Sequence, residues 1–336
     1  MSIYPLKFEP IYIDKVWGGR RIESHFGKEL PEPSDRKIGE SWELADLPDH
    51  ESVIAEGPLA GKTLREVVAH YGSVFLGDLE LTPAGRFPLL IKFLDANTTL
   101  SLQVHPDQDY LDDHPEFGVP KHEAWYIIDA APDAVIYRGI REGVTPETFR
   151  THLEEGCVED DLVKIRVKPG HCYFVPAGTV HAIGAGVFLT EIQKPSDTTF
   201  RLYEWGRTGR EVHVEQGLEC CAFHPPDVRE IEKRSHIGAA FTLVSQICNS
   251  PDFRIEKVRM VEGYGQEIPY DRPAVWVVLE GAGTISNTPA RVDVHFQRGE
   301  VLLLPAGMDD ARVDFDEDTV WLEVQFPALL ENILLA

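Results

Sequence analysis

Cysteine is scarce in this chain and carries no pattern. The five thiols, Cys157, Cys172, Cys220, Cys221 and Cys248, form no C-x-x-C pair. An odd count without framework spacing argues against a disulfide-stapled fold and fits reduced thiols. Long apolar runs are also missing. Lys7, Glu9, Asp14 and Lys15 interrupt the first residues, so no signal segment is expected there, and no stretch approaches the length of a membrane span. A cytoplasmic location is the expectation. Cations are in deficit: 32 Lys and Arg against 56 Asp and Glu leave a net charge of -24. Such a surface repels phosphate backbones and anionic lipid, so no nucleic acid and no membrane is expected as a partner, and composition leaves the oligomeric state unset. An anionic small ligand would need a few cations gathered locally against the global field. Nucleotide and hydrolase signatures are absent as well. Gly184-Ala-Gly186 lacks the third glycine of a dinucleotide fingerprint, and there is no P-loop, G-x-S-x-G or H-E-x-x-H.

What the sequence does contain is strand signal. The 336 residues suffice for about two domains. Short β-branched and aromatic runs bounded by Gly, Pro and Asp recur at Glu123–Asp129, Ala134–Tyr137, Leu162–Val167, Cys172–Val175, Phe188–Ile192, Ala274–Leu279, Val301–Leu304 and Thr319–Val324. Helical signals are few. Thr63 and Glu66 form a capping box ahead of Val67 and Val68, with Gly72 as a stop; Thr145-Pro146 opens a second helix that Gly156 ends; Pro106–Asp113 reads as a short acidic helix.

An internal repeat organises these strands. EAWYIIDAAPDA aligns with AVWVVLEGAGT when Trp125 is laid on Trp276, and KPGHCYFVPAGTVHAI aligns with QRGEVLLLPAGMDDAR when Pro176 is laid on Pro305. The expected fold is therefore mainly β: two cupin-type, jelly-roll barrels with a few short helices. Residues 1–236 would form a metal-binding catalytic domain wrapped by N-terminal segments, and residues 237–336 a degenerate second barrel. The halves differ where chemistry would sit, since Glu123 aligns with Ala274 and His181 with Asp310.

The sharpest motif is Ser101-Leu102-Gln103-Val104-His105-Pro106. Alternation along a strand turns Ser101, Gln103 and His105 to one face, and Leu100, Leu102 and Val104 to the other. Glu123 opens a later strand, and His181 follows the tight Pro176-Ala177-Gly178 turn. Two imidazoles, a carboxylate and a carboxamide oxygen suit Zn²⁺ or a similar divalent ion, with one position left for water or substrate; Gln103 could equally stand behind the ligands. His122 should face away from Glu123. A His/His/Glu set also describes non-haem iron oxygenases, and a cupin can be a non-enzymatic sugar-binding protein, so fold alone does not choose.

Five pieces carry a resemblance to a family: Trp17-Gly18-Gly19, Gly39-Glu40-Ser41-Trp42-Glu43, Leu100 to Pro106, Val175 to Gly184, and Glu191 to Arg207. In them the chain resembles the type I mannose-6-phosphate isomerases in their compact bacterial form. The resemblance implies a metal-dependent aldose–ketose isomerase that interconverts mannose 6-phosphate and fructose 6-phosphate through an enediol, with one Zn²⁺ per chain and a sugar phosphate as its small-molecule partner. It implies Gln103, His105, Glu123 and His181 as zinc ligands. It implies Arg201 as a catalytic arginine, Lys121 and Glu191 as further polar site residues, and Ser101 and Arg207 near the substrate phosphate. The chain has little room for the helical domain of longer members.

Overall fold

A computed structural model describes residues 3–268 and 270–327. The chain is mainly β with a few short helices, and its strands sort into four larger sheets and one two-residue pair. The first large sheet has six antiparallel strands in the order Cys172–Val175, Glu123–Ala130, Val187–Gln193, Leu90–Ala96, Ile38–Leu44, Ile11–Gly19. The second has five: Leu162–Arg166, Val135–Ile140, His181–Ile183, Leu102–Val104, Phe200–Tyr203. They pack face to face around Trp17, Leu94, Trp125, Ile127, Ile136, Ile183 and Leu189.

Both faces of the six-stranded sheet are covered. Its outer face, with Phe93, Tyr126, Phe174 and Ile192, runs without a break into the core of the C-terminal sheets, with Ile255, Trp276 and Trp321. Leu90–Ala96 and Val187–Gln193 are accordingly buried at every position. Such strands lack the alternation of a half-exposed strand. The outer face of the five-stranded sheet, with Leu102, Val104, Phe200 and Leu202, takes Phe149 and Leu153 of the helix Pro146–Glu155.

Toward the C-terminus a seven-stranded sheet faces a four-stranded one. The seven-stranded sheet runs from Leu6–Lys7 through Val301–Leu304, Ala274–Glu280, Thr319–Gln325, Arg254–Met260 and Thr242–Asn249 to Ser235–Gly238. Aromatics fill the space between them, with Trp321 stacked on Phe315 and Trp276 tilted against Trp321. The strand Leu6–Lys7 thus lies in the sheet of the far end of the chain.

The repeat is matched strand for strand. Trp125 stands in register between Tyr173 and Glu191, and Trp276 between Leu302 and Glu323. The expected closed barrels, however, are open sheets. Each large sheet ends in edge strands, and side-chain packing, not a continuous hydrogen-bonded ladder, joins the sheets of each pair. One alternation also differs. Leu102 and Val104 point outward as expected, but the regular strand starts only at Leu102, and Leu100 packs with the inner cluster.

The helical signals hold locally. Thr63 and Glu66 close a reciprocal capping box on Leu64–Tyr71, Thr145 caps Pro146–Glu155, and Asp107 caps Gln108–Asp113. Close backbone approach explains the glycines of two motifs: a Cβ on Gly18 would lie 2.4 Å from the Gly39 nitrogen.

Candidate active site

Three strands carry the candidate ligands to one end of the N-terminal sheet pair. Gln103 stands directly between His181 and Arg201 in the five-stranded sheet, so the three side chains share a face. Glu123 projects from the facing sheet, in register with Val175 and Gln193. Gly178, at φ +81°, makes the turn that delivers His181.

His105, Glu123 and His181 meet in the interior, each about 99% buried or more, with ligand atoms within 4.8 Å of one another. His105 Nε2 is 3.1 Å from Glu123 Oε1, and His181 Nε2 is 3.8 Å from Glu123 Oε2. Ligands of one ion, each at about 2 Å from it, stand at such separations. The other ring nitrogens are engaged: His105 Nδ1 lies 2.9 Å from the Thr198 carbonyl and His181 Nδ1 2.8 Å from that of Thr179. Donation to those carbonyls turns each Nε2 lone pair inward, the arrangement metal-binding histidines adopt. Glu123 Oε1 is buried without a well-directed hydrogen bond, although Lys121 Nζ lies 2.8 Å away. The carboxamide of Gln103 is 3.1 Å from His181 Nε2. This donor set fits a divalent cation.

Electrostatics agree. Burial, reinforced by the Lys121 ammonium, pushes His105 down to about 3, and burial lowers His181. Both rings are therefore neutral, as ligands must be. Burial opposes ionisation of Glu123, but the adjacent Lys121 ammonium outweighs it and holds its carboxyl well below the usual range. Glu191 moves the other way: burial first, then the charge of Glu123, raises it.

Above the cluster opens a cavity of about 310 Å³. Its lining includes Ser101, Gln103, Lys121, Glu191 and Arg201, all anticipated from the sequence. Lys121 Nζ sits 3.3 Å from His105 Nε2. Glu191 lies on a central strand, its Oε1 3.2 Å from Lys92 Nζ and its Oε2 accepting from Trp125 Nε1 at 3.0 Å. Arg201 donates to the Glu211 carbonyl, and among the described residues no carboxylate lies within ion-pair reach of it. Arg207 lies off this cavity, its guanidinium committed to Glu204 and the Thr99 carbonyl. Arg210 lines the cavity instead, donating to Ser101 Oγ at 2.9 Å, while Ser101 donates to Glu204 Oε1.

The sequence reading missed Lys15, Glu40, Lys92, Asp197, Arg210 and His213, which also line the cavity. Lys92 was open to detection, since a lysine inside the apolar run Leu89–Leu94 is rarely buried without a partner. Arg210 was not. The intervening loop turns on Trp205, Gly206 and Gly209, all at positive φ, and no periodicity reports where a side chain on it points. His122 faces away from the cluster, its Nδ1 accepting from the Ala177 amide.

Fold and site together define a mainly β, cupin-like protein with a His-Glu-His cluster able to hold a metal beneath a cationic cavity. A family model for the catalytic domain of type I phosphomannose isomerase matches residues 6–124. A mannose-6-phosphate isomerase of Bacillus subtilis is 33% identical over 320 residues, 94% of this chain and 97% of that protein. One from Streptococcus mutans is 33% identical over 324 residues, 93% of this chain and 97% of that protein. The crystal structure of the mannose 6-phosphate isomerase from Bacillus subtilis matches with a TM-score of 0.85 at 28% identity, over 97% of this chain and 100% of that one. The chain belongs to the type I phosphomannose isomerase family and is an isomerase. Among the described residues no helix is long and apolar enough to cross a membrane.

Proposed function

We propose that the chain interconverts mannose 6-phosphate and fructose 6-phosphate with one Zn²⁺ held by Gln103, His105, Glu123 and His181. The observation that carries this reading is the His105-Glu123-His181 cluster under a cavity that gathers five cationic side chains, Lys15, Lys92, Lys121, Arg201 and Arg210, against three carboxylates, Glu40, Glu191 and Asp197. On a chain of net charge -24, such a gathering is a local device for a dianionic sugar phosphate.

When bound, the metal would polarise the sugar oxygens and stabilise the enediolate that forms as a proton moves between C1 and C2. The protein's own groups supply the rest. Arg201, without a carboxylate partner among the described residues, keeps its charge available for the enediolate. Glu191 is the proton-transfer group we favour. Its raised carboxyl lies nearer neutrality than an ordinary carboxylate, where exchange with a carbon-bound proton is most effective. Lys121, beside both Glu123 and His105, balances the buried charge and is the second proton carrier. Ser101 and Arg210 face the phosphate end, with Arg207 fixing Glu204 behind them. We also read the two sheet pairs as two cupin-type units dividing near residue 236. A coupled assay for fructose 6-phosphate, with and without a chelator, tests the reading; turnover that survives full metal removal overturns it.

A further inference from the structure

One buried side chain at the site has work that burial alone does not explain. Trp125 is 99% buried and donates its single indole N–H toward two carboxylates at once: Glu191 Oε2 at 3.0 Å and Glu123 Oε2 at 3.2 Å. The sheet makes this possible. Glu191 is its direct cross-strand neighbour, and Glu123 is two residues earlier on the same strand face. Two ionisable carboxylates, both fully buried and close enough to repel, share one neutral donor.

The far half of the chain supplies an internal control. Trp276 occupies the matching register, with Glu323 across from it in the place of Glu191. Two residues earlier stands Ala274, where the first half has Glu123. Here the indole donates to Tyr270 Oη at 3.0 Å and bridges no pair of carboxylates. Of the two matching tryptophans, the one that bridges is the one beside both the ligand carboxylate and the proton-transfer carboxylate.

We infer that Trp125 is a positioning residue for the isomerisation: its indole N–H pins Oε2 of both carboxylates, fixing Glu123 in the orientation that aims Oε1 at the ligand cluster and holding Glu191 at the cavity wall. The inference rests on the functional reading above for the role of Glu191, but its metal arm does not. A phenyl ring would fill most of the same volume and supply no donor, so Trp125→Phe separates packing from hydrogen bonding. Buried carboxylates that lose a donor reorient or take up a proton.

The test compares Trp125→Phe with Trp276→Phe in the full-length protein. Apo-protein is titrated with Zn²⁺ in competition with a chromophoric chelator, and mannose 6-phosphate kinetics are measured on the zinc-loaded forms. Trp125→Phe should weaken zinc about tenfold or more and lower kcat about 10- to 100-fold, with KM within about threefold. Trp276→Phe should leave both unchanged. Equal losses in the two variants, or a Trp125→Phe protein with wild-type zinc affinity and kcat, overturn the inference. If Trp125→Phe does not fold, proteins that keep Trp125 still decide. The Trp125 indole ¹⁵N–¹H resonance should shift on adding Zn²⁺ and shift again in Glu191→Gln; a resonance indifferent to both overturns the inference. Weakened zinc in a protein that fails to isomerise mannose 6-phosphate would sink the functional reading and leave the role toward Glu123 standing.

Discussion

The two halves of this chain build the same strand ladder and put different chemistry into it. In the N-terminal sheet pair Lys92 faces Glu191 across the ladder; in the C-terminal pair, Glu256 faces Glu323 at the matching register. Glu123 gives way to Ala274, and the turn that ends in His181 ends instead at Asp310, in a left-handed conformation. Where the ion pair is lost, the surroundings change character. Burial, then the charge of Glu323, lifts the Glu256 carboxyl even though Arg254 draws it down, and burial with a hydrogen bond to Glu323 raises the Tyr270 hydroxyl well above the phenolic range. The comparison teaches that the apolar packing of Trp125 or Trp276 is enough to specify the ladder. The charged residues of the first half are a separate layer, held at an electrostatic cost, as buried ion pairs usually are.

The largest expected effect breaks the halves apart at the metal. His181→Ala should lower activity about 10³-fold or more and remove bound zinc, while the β-sheet circular dichroism persists. Asp310→Ala, at the matching turn, should leave metal content and turnover unchanged. Metal analysis of the wild type should find about one ion per chain, and two would mean the second half also holds a ligand set.

Next in size are the cavity cations. Arg201→Ala should reduce kcat about 100-fold, because it acts where charge develops during reaction. Arg210→Ala should mainly raise KM, about tenfold, if its guanidinium meets the phosphate in both ground and transition states. Unphosphorylated mannose should be a far poorer substrate than mannose 6-phosphate. Steady-state kinetics on both sugars checks all three, and equal turnover of the two sugars would refute the phosphate assignment.

Acid stability should also separate the halves. Burial opposes the charge on Glu40, but Lys92 and Lys15 prevail and hold its carboxyl at about 2 instead of 4.5. Because the folded value is depressed, the stabilisation is complete above the unfolded value near 4.5 and drains away as the pH falls from there towards 2. At pH 7 Glu40→Gln should cost about 2–3 kcal/mol. The gap from wild type should close across that acid window in urea unfolding curves. Val244, the matching residue across from Val258, carries no charge, so Val244→Ala should show a gap that does not change with pH. A Glu40→Gln deficit equally flat with pH would show that packing, not charge, is what Glu40 contributes.

The smallest effect is His122→Ala. Its ring accepts from the Ala177 amide and stacks on Phe174, away from the ligands. Zinc content should stay intact, turnover should stay within about twofold and stability should fall by about 1 kcal/mol. A loss of zinc comparable to that of His181→Ala would reverse the strand-face assignment on which the whole site rests.

Several things were settled by the sequence alone. Alternation in Ser101-Leu-Gln-Val-His105 put Gln103 and His105 on the inner face, because the period of a strand is a local steric property. Caps at Thr63 and Thr145 predicted their helices because the hydrogen bonds that make a cap span only three residues. The repeat anticipated Trp125 and Trp276 at matching places. Tertiary structure alone decided the rest. The strands Ile38–Leu44 and Leu90–Ala96 are defined by the partners on either side and are buried on both faces, which removes the alternation of a half-exposed strand, and Ile11–Gly19 is set by its single partner at the sheet edge. Whether the sheets close into barrels depends on the pairing of their edges, which no local pattern records. Which of Arg207 and Arg210 reaches the cavity was fixed by a loop whose backbone follows its contacts with Leu100, Thr99 and Glu204, and by no periodicity of its own.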